Sequence, residues 1–175
     1  IAGFWQMILD TVGAPQIAAI LVLAQRGLEE LYSVRNTRRL IAEGAHEEGR
    51  ELYPMVAATH LAWIAAIGLM ISPAAVVHWP VVAAYMLLPG VRYWVIGSLG
   101  RYWTHRIITL PNAPLVGRGP YAVVRHPNYL VTITEAALLP LAFGSVAVAL
   151  VFTALWIVVI RAKIVIEDQA LACRR

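Results

Sequence analysis

Pro54 to Ile71 is an apolar run of bilayer-crossing length, broken only by Thr59 and His60. In hydrocarbon, every backbone N–H and C=O must find a partner inside the protein, so such a run folds as a helix or belongs to a closed barrel. A continuous apolar stretch of this length reads as a helix. Further runs share its character: Phe4 to Leu31, Pro80 to Leu99 and Tyr129 to Ile160. The composition agrees, with 60% hydrophobic and only 14% charged residues, where soluble domains carry roughly 25% charged residues. The sequence therefore predicts an all-α integral membrane protein.

In the first span, Asp10, Pro15 and Gln16 interrupt the pattern, and Ile17 to Ala24 is its most apolar part. No cleavable signal pattern opens the sequence, and the missing initiator Met points to a trimmed start. Arg26, Glu29, Glu30, Arg35, Arg38 and Arg39 follow, so the helix is expected to leave the bilayer and continue in water. Glu43 to Glu51 reads as a polar, solvated loop. Pro54 opens the second span at a position suited to proline. His60 within it is either a functional ionisable group or a histidine bonded to a neighbouring helix. The third span is expected to break near Pro89-Gly90 and carries Arg92. An unpaired Arg at that depth costs about 2.5–3.5 kcal/mol on insertion scales, so it needs a partner, and Glu135 and Glu29 are the candidates.

Arg101 to Asn128 is polar, with strand-like content from Trp103 to Leu110. Beyond it, Tyr129 to Ile160 as one helix would be about 48 Å long, against a hydrocarbon core of ~30 Å. Pro140 and Phe143-Gly144-Ser145 offer a turn. A hairpin of Tyr129 to Phe143 and Val146 to Lys163 returns Lys163, Arg174 and Arg175 to the side of the Arg-rich loops. It also leaves the opposite turns free of Lys and Arg. Five spans follow, with the N-terminus outside and the C-terminus cytosolic. Residues 1–100 form the N-terminal helices with one cytosolic loop, and residues 101–175 form a second part with the polar loop, the hairpin and the C-terminal acidic segment. The net charge of +4 is spread between apolar segments. It reads as an orientation signal, with no nucleic-acid motif.

The most unusual chemistry lies in Gly119-Pro-Tyr-Ala-Val-Val-Arg-His-Pro-Asn-Tyr129, where the polar loop meets the hairpin. Arg125 and His126 can bind an anion, Pro127 suits a first helical turn, and Asn128 and Tyr129 add hydrogen-bonding groups. An interfacial anchor is the plainer reading of the same residues. The segment resembles the Arg-His-Pro-x-Tyr motif of the isoprenylcysteine carboxyl methyltransferase family, membrane enzymes that use S-adenosylmethionine. Lys163-Ile-Val-Ile-Glu167-Asp168-Gln-Ala-Leu171 resembles that family's basic and acidic segment. The two blocks stand in the family's order around an apolar hairpin.

The resemblance implies cofactor contacts from Leu115, Val116, Tyr121, His126, Pro127, Asn128, Tyr129 and Glu167. It places Lys163 on the substrate side, at a position where the family usually has Arg, and Arg125 within the motif. Val131 replaces a frequent Gly, and Asp168 replaces the second Glu of the acidic pair. Neither a metal-ligand set nor a glycine-rich phosphate loop is present. The expected partners are membrane lipid and a lipidic small-molecule substrate, with the active site opening to the cytosol.

Short bacterial members thought to methylate alkylresorcinols and alkylpyrones resemble this chain at Arg35-Asn-Thr-Arg38 and from Tyr53 to His60. The expected reaction is O-methylation of a long-chain phenol or pyrone, with prenylcysteine carboxylate as the alternative acceptor. A carboxylate is already ionised, whereas a phenol has to lose a proton. Glu135 and His60 are the membrane-depth groups able to take it, and Arg92 would limit the shift of Glu135. Glu135 is equally well read as an ion-pair partner that holds two helices together. Membrane-depth His60, Arg92 and Glu135 would also suit a small transporter or channel subunit.

Overall fold

A computed structural model describes residues 11–172. Phe4, Asp10, Cys173, Arg174 and Arg175, which enter the sequence expectations, lie outside the described residues. The described chain forms α1 (Ala14–Ala42), β1 (His46–Glu48), α2 (Leu52–Met70), α3 (Trp79–Leu99), β2 (Ile107–Thr109), α4 (Pro127–Ala142) and α5 (Val146–Ala170). Single 3₁₀ turns at Gly100–Tyr102 and Gly119–Ala122 punctuate the loop between α3 and α4. This is an all-α membrane protein with one short ribbon. Three helices, α2, α3 and α5, are long and apolar enough to cross a bilayer by themselves. At 16 residues, α4 reaches about 24 Å and packs between α3 and α5. The 29 residues of α1 are more polar and pack on α2.

Polar contacts fix the ends of the bundle. Gln16 at the start of α1 donates to the carbonyls of Gly68 and Ile71, at 3.0 and 2.9 Å. It thereby satisfies acceptors that the last turn of α2 leaves open. Gly13 just before it cannot be replaced by a larger residue, because a β-carbon there would lie 1.9 Å from the Pro73 carbonyl oxygen. The hairpin turn follows the sequence expectation. Gly144 sits at φ +71°, and the amides of Ser145 and Gly144 bond the carbonyls of Pro140 and Leu141. This is a Schellman closure of α4.

Two expectations need adjusting. The first helix continues to Ala42, yet Arg26 and Glu29 do not face water: they are 8% and 4% exposed. With Ser33, Asn36 and Leu40 they form a buried stripe at three- and four-residue spacing, which is the inward face of a helix. The third helix runs through Pro89 without a break.

The core is apolar and aromatic, with Trp63, Ile67, Trp156 and Val159 buried between α2 and α5. The outward faces are apolar as well, as Leu150 and Val158 at 67% and 65% exposure show, and suit contact with lipid. Successive helices run antiparallel: the turns at 71–78 and 143–145 are short, and the long loop between α3 and α4 packs back on the end of α3. The ends bearing Arg39, Arg118 and Lys163 therefore lie together, opposite the turns at 71–78 and 143–145. With Cys173 replaced by Ser, cysteines at Arg39 and Arg118 should react with a membrane-impermeant maleimide from the same side, and one at Ser72 from the other. Labelling of Arg39→Cys and Arg118→Cys from opposite sides would contradict this topology.

Candidate active site

At the Arg-rich end lies a cavity of about 280 Å³, near the lower end of the roughly 300–1,000 Å³ range of small-molecule sites. One wall comes from the loop before α4. Gly119, at φ +59°, lets that loop pack on the end of α3: a β-carbon would lie 2.4 Å from Ser98 Oγ. Arg118 Nε donates to the Ser98 carbonyl at 3.2 Å, using an acceptor at the helix terminus. Pro127 then occupies the first turn of α4. It does not line the cavity but sets the direction in which Asn128 and Tyr129 leave the backbone.

The two sequence blocks meet here. Tyr129 donates its hydroxyl to Glu167 Oε2 at 2.5 Å. His126 Nδ1 lies 3.5 Å from the same oxygen, and Nε2 lies 3.6 Å from Asp168 Oδ1. The imidazole stacks on the Tyr129 ring at 5.3 Å between centroids. Glu167, with Asp168 beside it, holds the His126 pKa above the ordinary imidazole value against the opposing effect of partial burial. Burial pushes the Tyr121 hydroxyl well above the usual phenol value, and Glu167 adds to the shift. Across the cavity, Lys163 Nζ donates to the His105 carbonyl at 2.6 Å and lies 5.4 Å from the centre of the Tyr129 ring.

Leu115, Val116, Tyr121, Arg125, His126, Asn128, Tyr129, Lys163 and Glu167 all line this one cavity. The sequence reading missed the opposite wall, where Tyr102, Trp103, Thr104, Arg106 and β2 contribute. Its signal was the aromatic and β-branched run 103–110, legible as a strand but not as part of a site. β2 pairs antiparallel with β1, Glu47 opposite Ile108. The expected solvated loop is thus partly a strand. Glu47 is an ion-pair partner, 2.7 Å from Arg106 Nη1, and the Arg106 guanidinium lies over the Tyr53 ring at 4.1 Å.

Arg92 and Glu135 lie elsewhere. Both are 1% exposed, and neither lines the cavity. Arg92 pairs with Glu135 through two nitrogens, its Nε donating at 3.1 Å. Arg26 reaches Glu135 at 2.5 Å and Glu29 at 2.6 Å, while Arg92 Nη1 lies 3.6 Å from Glu29. Both partners proposed for Arg92 are therefore present, and Arg26 completes a neutral quartet. Arg92 also donates to Asn128 Oδ1 at 3.3 Å and Thr132 Oγ1 at 3.1 Å, which links the quartet to the cavity wall. His60 lies edge-on to Trp156, 4.4 Å between ring centroids, and is not part of the cavity wall.

The fold defines a membrane protein with a partly polar cavity at one end of a helical bundle. Residues 81–173 match the isoprenylcysteine carboxyl methyltransferase (ICMT) family, and the chain belongs to that family. Its members are methyltransferases that generally use S-adenosylmethionine. The chain is also 33% identical over 159 residues to the uncharacterized protein YpbQ of Bacillus subtilis (strain 168), covering 89% of this chain and 94% of that protein. No solved structure matches.

Removing one member of a buried ion pair leaves a stranded charge, typically at a cost of about 3–5 kcal/mol. Glu135→Gln should therefore lower thermal stability strongly. Arg92→Met combined with Glu135→Leu should lose less than the two single effects added, as thermal unfolding of the four proteins in detergent would show. The raised His126 pKa has a pH consequence. Its stabilisation is fully present below the unfolded value of about 6.5 and is lost as pH rises through the folded value. The Tm difference between wild type and His126→Asn should thus be largest near pH 5.5 and shrink toward alkaline pH. A difference that grows with pH would refute the pairing with Glu167.

Proposed function

We propose that this chain transfers a methyl group from S-adenosylmethionine to an oxygen of a lipid-borne acceptor, in a cavity that opens to the cytosol. The reading rests chiefly on the junction of His126, Tyr129 and Glu167 at the cavity wall. The residues present suit the cofactor. Among the described residues His126 Nε2 is buried without a hydrogen bond, although Asp168 lies nearby. The Glu167 carboxylate can accept from an amino group or ribose hydroxyls, and Asn128 offers both a donor and an acceptor. Leu115, Val116 and Tyr121 give apolar and aromatic surface for a purine. Arg125 brings five N–H donors suited to a carboxylate. When bound, S-adenosylmethionine supplies a methyl group on a positively charged sulfur. The chain's part is to hold it, exclude water and present the acceptor oxygen.

For the acceptor, a hydroxyl on a long-chain phenolic or pyrone polyketide fits the apolar outer surface of the bundle beside a polar cavity. Prenylcysteine carboxylate is the second reading, favoured by Arg106 and Arg125, which both line the cavity. A transporter has less support, because the membrane-depth charges pair with one another rather than lining a path. A charge-assisted hydrogen bond contributes about 1.5–3 kcal/mol, so Glu167→Ala should weaken S-adenosylmethionine binding by about tenfold or more. His126→Ala should weaken it too, and exposed Glu51→Ala should not. Titration calorimetry on the purified variants decides this, and unchanged affinity in both cavity variants would remove the assigned site. Mass spectrometry of products from an alkylresorcinol and a prenylcysteine then distinguishes the acceptors.

A further inference from the structure

A hydroxyl acceptor brings a proton that some side chain has to take, and the cavity wall holds few free acceptors. Glu135, the carboxylate that the sequence offers, receives hydrogen bonds from two guanidinium groups and does not line the cavity. Glu167 already receives the Tyr129 hydroxyl and faces His126. His126 stands between two carboxylates that favour its protonated form. Arg106 and Arg125 offer N–H donors and no acceptor. One amine remains.

We infer that Lys163 is the catalytic base, its neutral amine accepting the hydroxyl proton of the acceptor. The inference rests on the methyltransferase reading above and adds the proton step to it. Lys163 lines the cavity and, among the described residues, forms no ion pair with a carboxylate; its polar contact is the His105 carbonyl at 2.6 Å. A neutral amine has two N–H groups and one lone pair. With one N–H donated to that carbonyl, the other and the lone pair are left for the acceptor.

The carbonyl is itself well anchored. The His105 amide donates to Ser33 Oγ at 2.9 Å, and its ring Nδ1 lies 2.7 Å from Glu30 Oε2. Glu30 in turn accepts the Tyr53 hydroxyl at 2.6 Å. The amine is thus aimed by α1, α2 and the loop together, the preorganisation a general base requires. Titratable groups face it from each side: Tyr129 on α4, Glu167 on its own helix, His60 and Tyr53 on α2, Glu47 and Glu48 on β1, and His105 and Arg106 on the loop.

In the step, the acceptor O–H bond breaks with its electron pair left on oxygen, and the proton joins the Nζ lone pair. The resulting ammonium later gives that proton to water at the cavity mouth. A carboxylate acceptor needs no such step.

Lys163→Arg carries the positive charge of the protonated amine but cannot accept a proton at working pH. It should bind S-adenosylmethionine with near wild-type affinity by calorimetry, yet methylate an alkylresorcinol about 100-fold or more slowly. The rate increase with pH through the amine's titration in wild type should vanish in this variant. A second readout needs no turnover. A long-chain nitrophenol bound to cofactor-free wild type should develop its phenolate band without proton release to a weakly buffered indicator. The Lys163→Arg protein should release one proton as the band appears, and Lys163→Met should bind the neutral phenol. Unchanged kcat and pH profile in Lys163→Arg, or proton release by wild type equal to that variant, overturns Lys163 as base and leaves the methyltransferase reading standing. Failure of wild type to bind S-adenosylmethionine or to methylate any lipid overturns both.

Discussion

Two guanidinium groups and two carboxylates, enclosed in an apolar helix bundle, set the terms for this structure. Arg26, Glu29, Arg92 and Glu135 sum to zero charge, and each is less than a tenth exposed. In a low-dielectric surrounding none can be left alone, since desolvating a single ion costs several kcal/mol that only a close partner restores. The geometry that satisfies all four is narrow. Glu135 receives three hydrogen bonds, from α1 and α3, so sliding or rotating any of the three helices strands at least one charge. A purely apolar interface among α1, α3 and α4 would tolerate such slippage, because lipid tails and leucines are similar neighbours.

The quartet also governs the cavity, although it does not line it. Arg92 hydrogen-bonds Asn128 and Thr132, one turn apart at the start of α4, and Asn128 faces the cavity. The first turn of α4 is therefore registered against α3 by the same guanidinium that neutralises Glu135. Above it, α1 supports the opposite wall. Asn36 donates to the carbonyls of Gly100 and Trp103 at 3.2 and 2.8 Å, and Ser33 accepts the His105 amide. A polar loop beside a bilayer needs partners for its backbone, and the inward stripe of α1 provides several of them.

Much of this was legible in the sequence, and the reasons differ by element. The hairpin was readable because length is a hard constraint: one helix from Tyr129 to Ile160 would overrun the hydrocarbon core. The partners of Arg92 were readable because a buried Arg requires an acid and few acids lie at that depth. The union of the motif with Glu167 came from resemblance, which carries long-range contacts that periodicity cannot. Arg26 was read as solvated because charge near a helix end usually is, and Glu29 was read both in that run and as a candidate partner of Arg92. The spacing 26, 29, 33, 36, 40 held the contrary signal, a mostly polar stripe whose partners lie far along the chain, between Arg92 and Glu135. β1 and its pairing with β2 depend on register between two short segments, and no local pattern states that. Pro89 was read as a break, but flanking helical turns packed on α4 keep the helix continuous.

The unequal lengths of the hairpin arms explain why the cavity forms where it does. Both arms leave the turn at Gly144, yet α4 has 16 residues and α5 has 25, or about 24 Å against 37 Å at the helical rise. The shorter arm ends at His126 and Pro127 while the longer one continues, so the last turns of α5 overhang the mouth of α4. Glu167 lies on that overhang, and its side chain meets Tyr129 and His126 across the gap. Had the arms been equal, the N-terminus of α4 would be capped by the loop alone, and the acidic residue would face water. The mismatch leaves a recess with helix on one side, loop and ribbon on the other, and lipid-facing side chains just below. For the proposed reaction, such a recess would let a polar cofactor enter from water while an acceptor keeps its tail in the bilayer. The short α4, at about 24 Å against a hydrocarbon core of ~30 Å, is the element that sets where the recess lies.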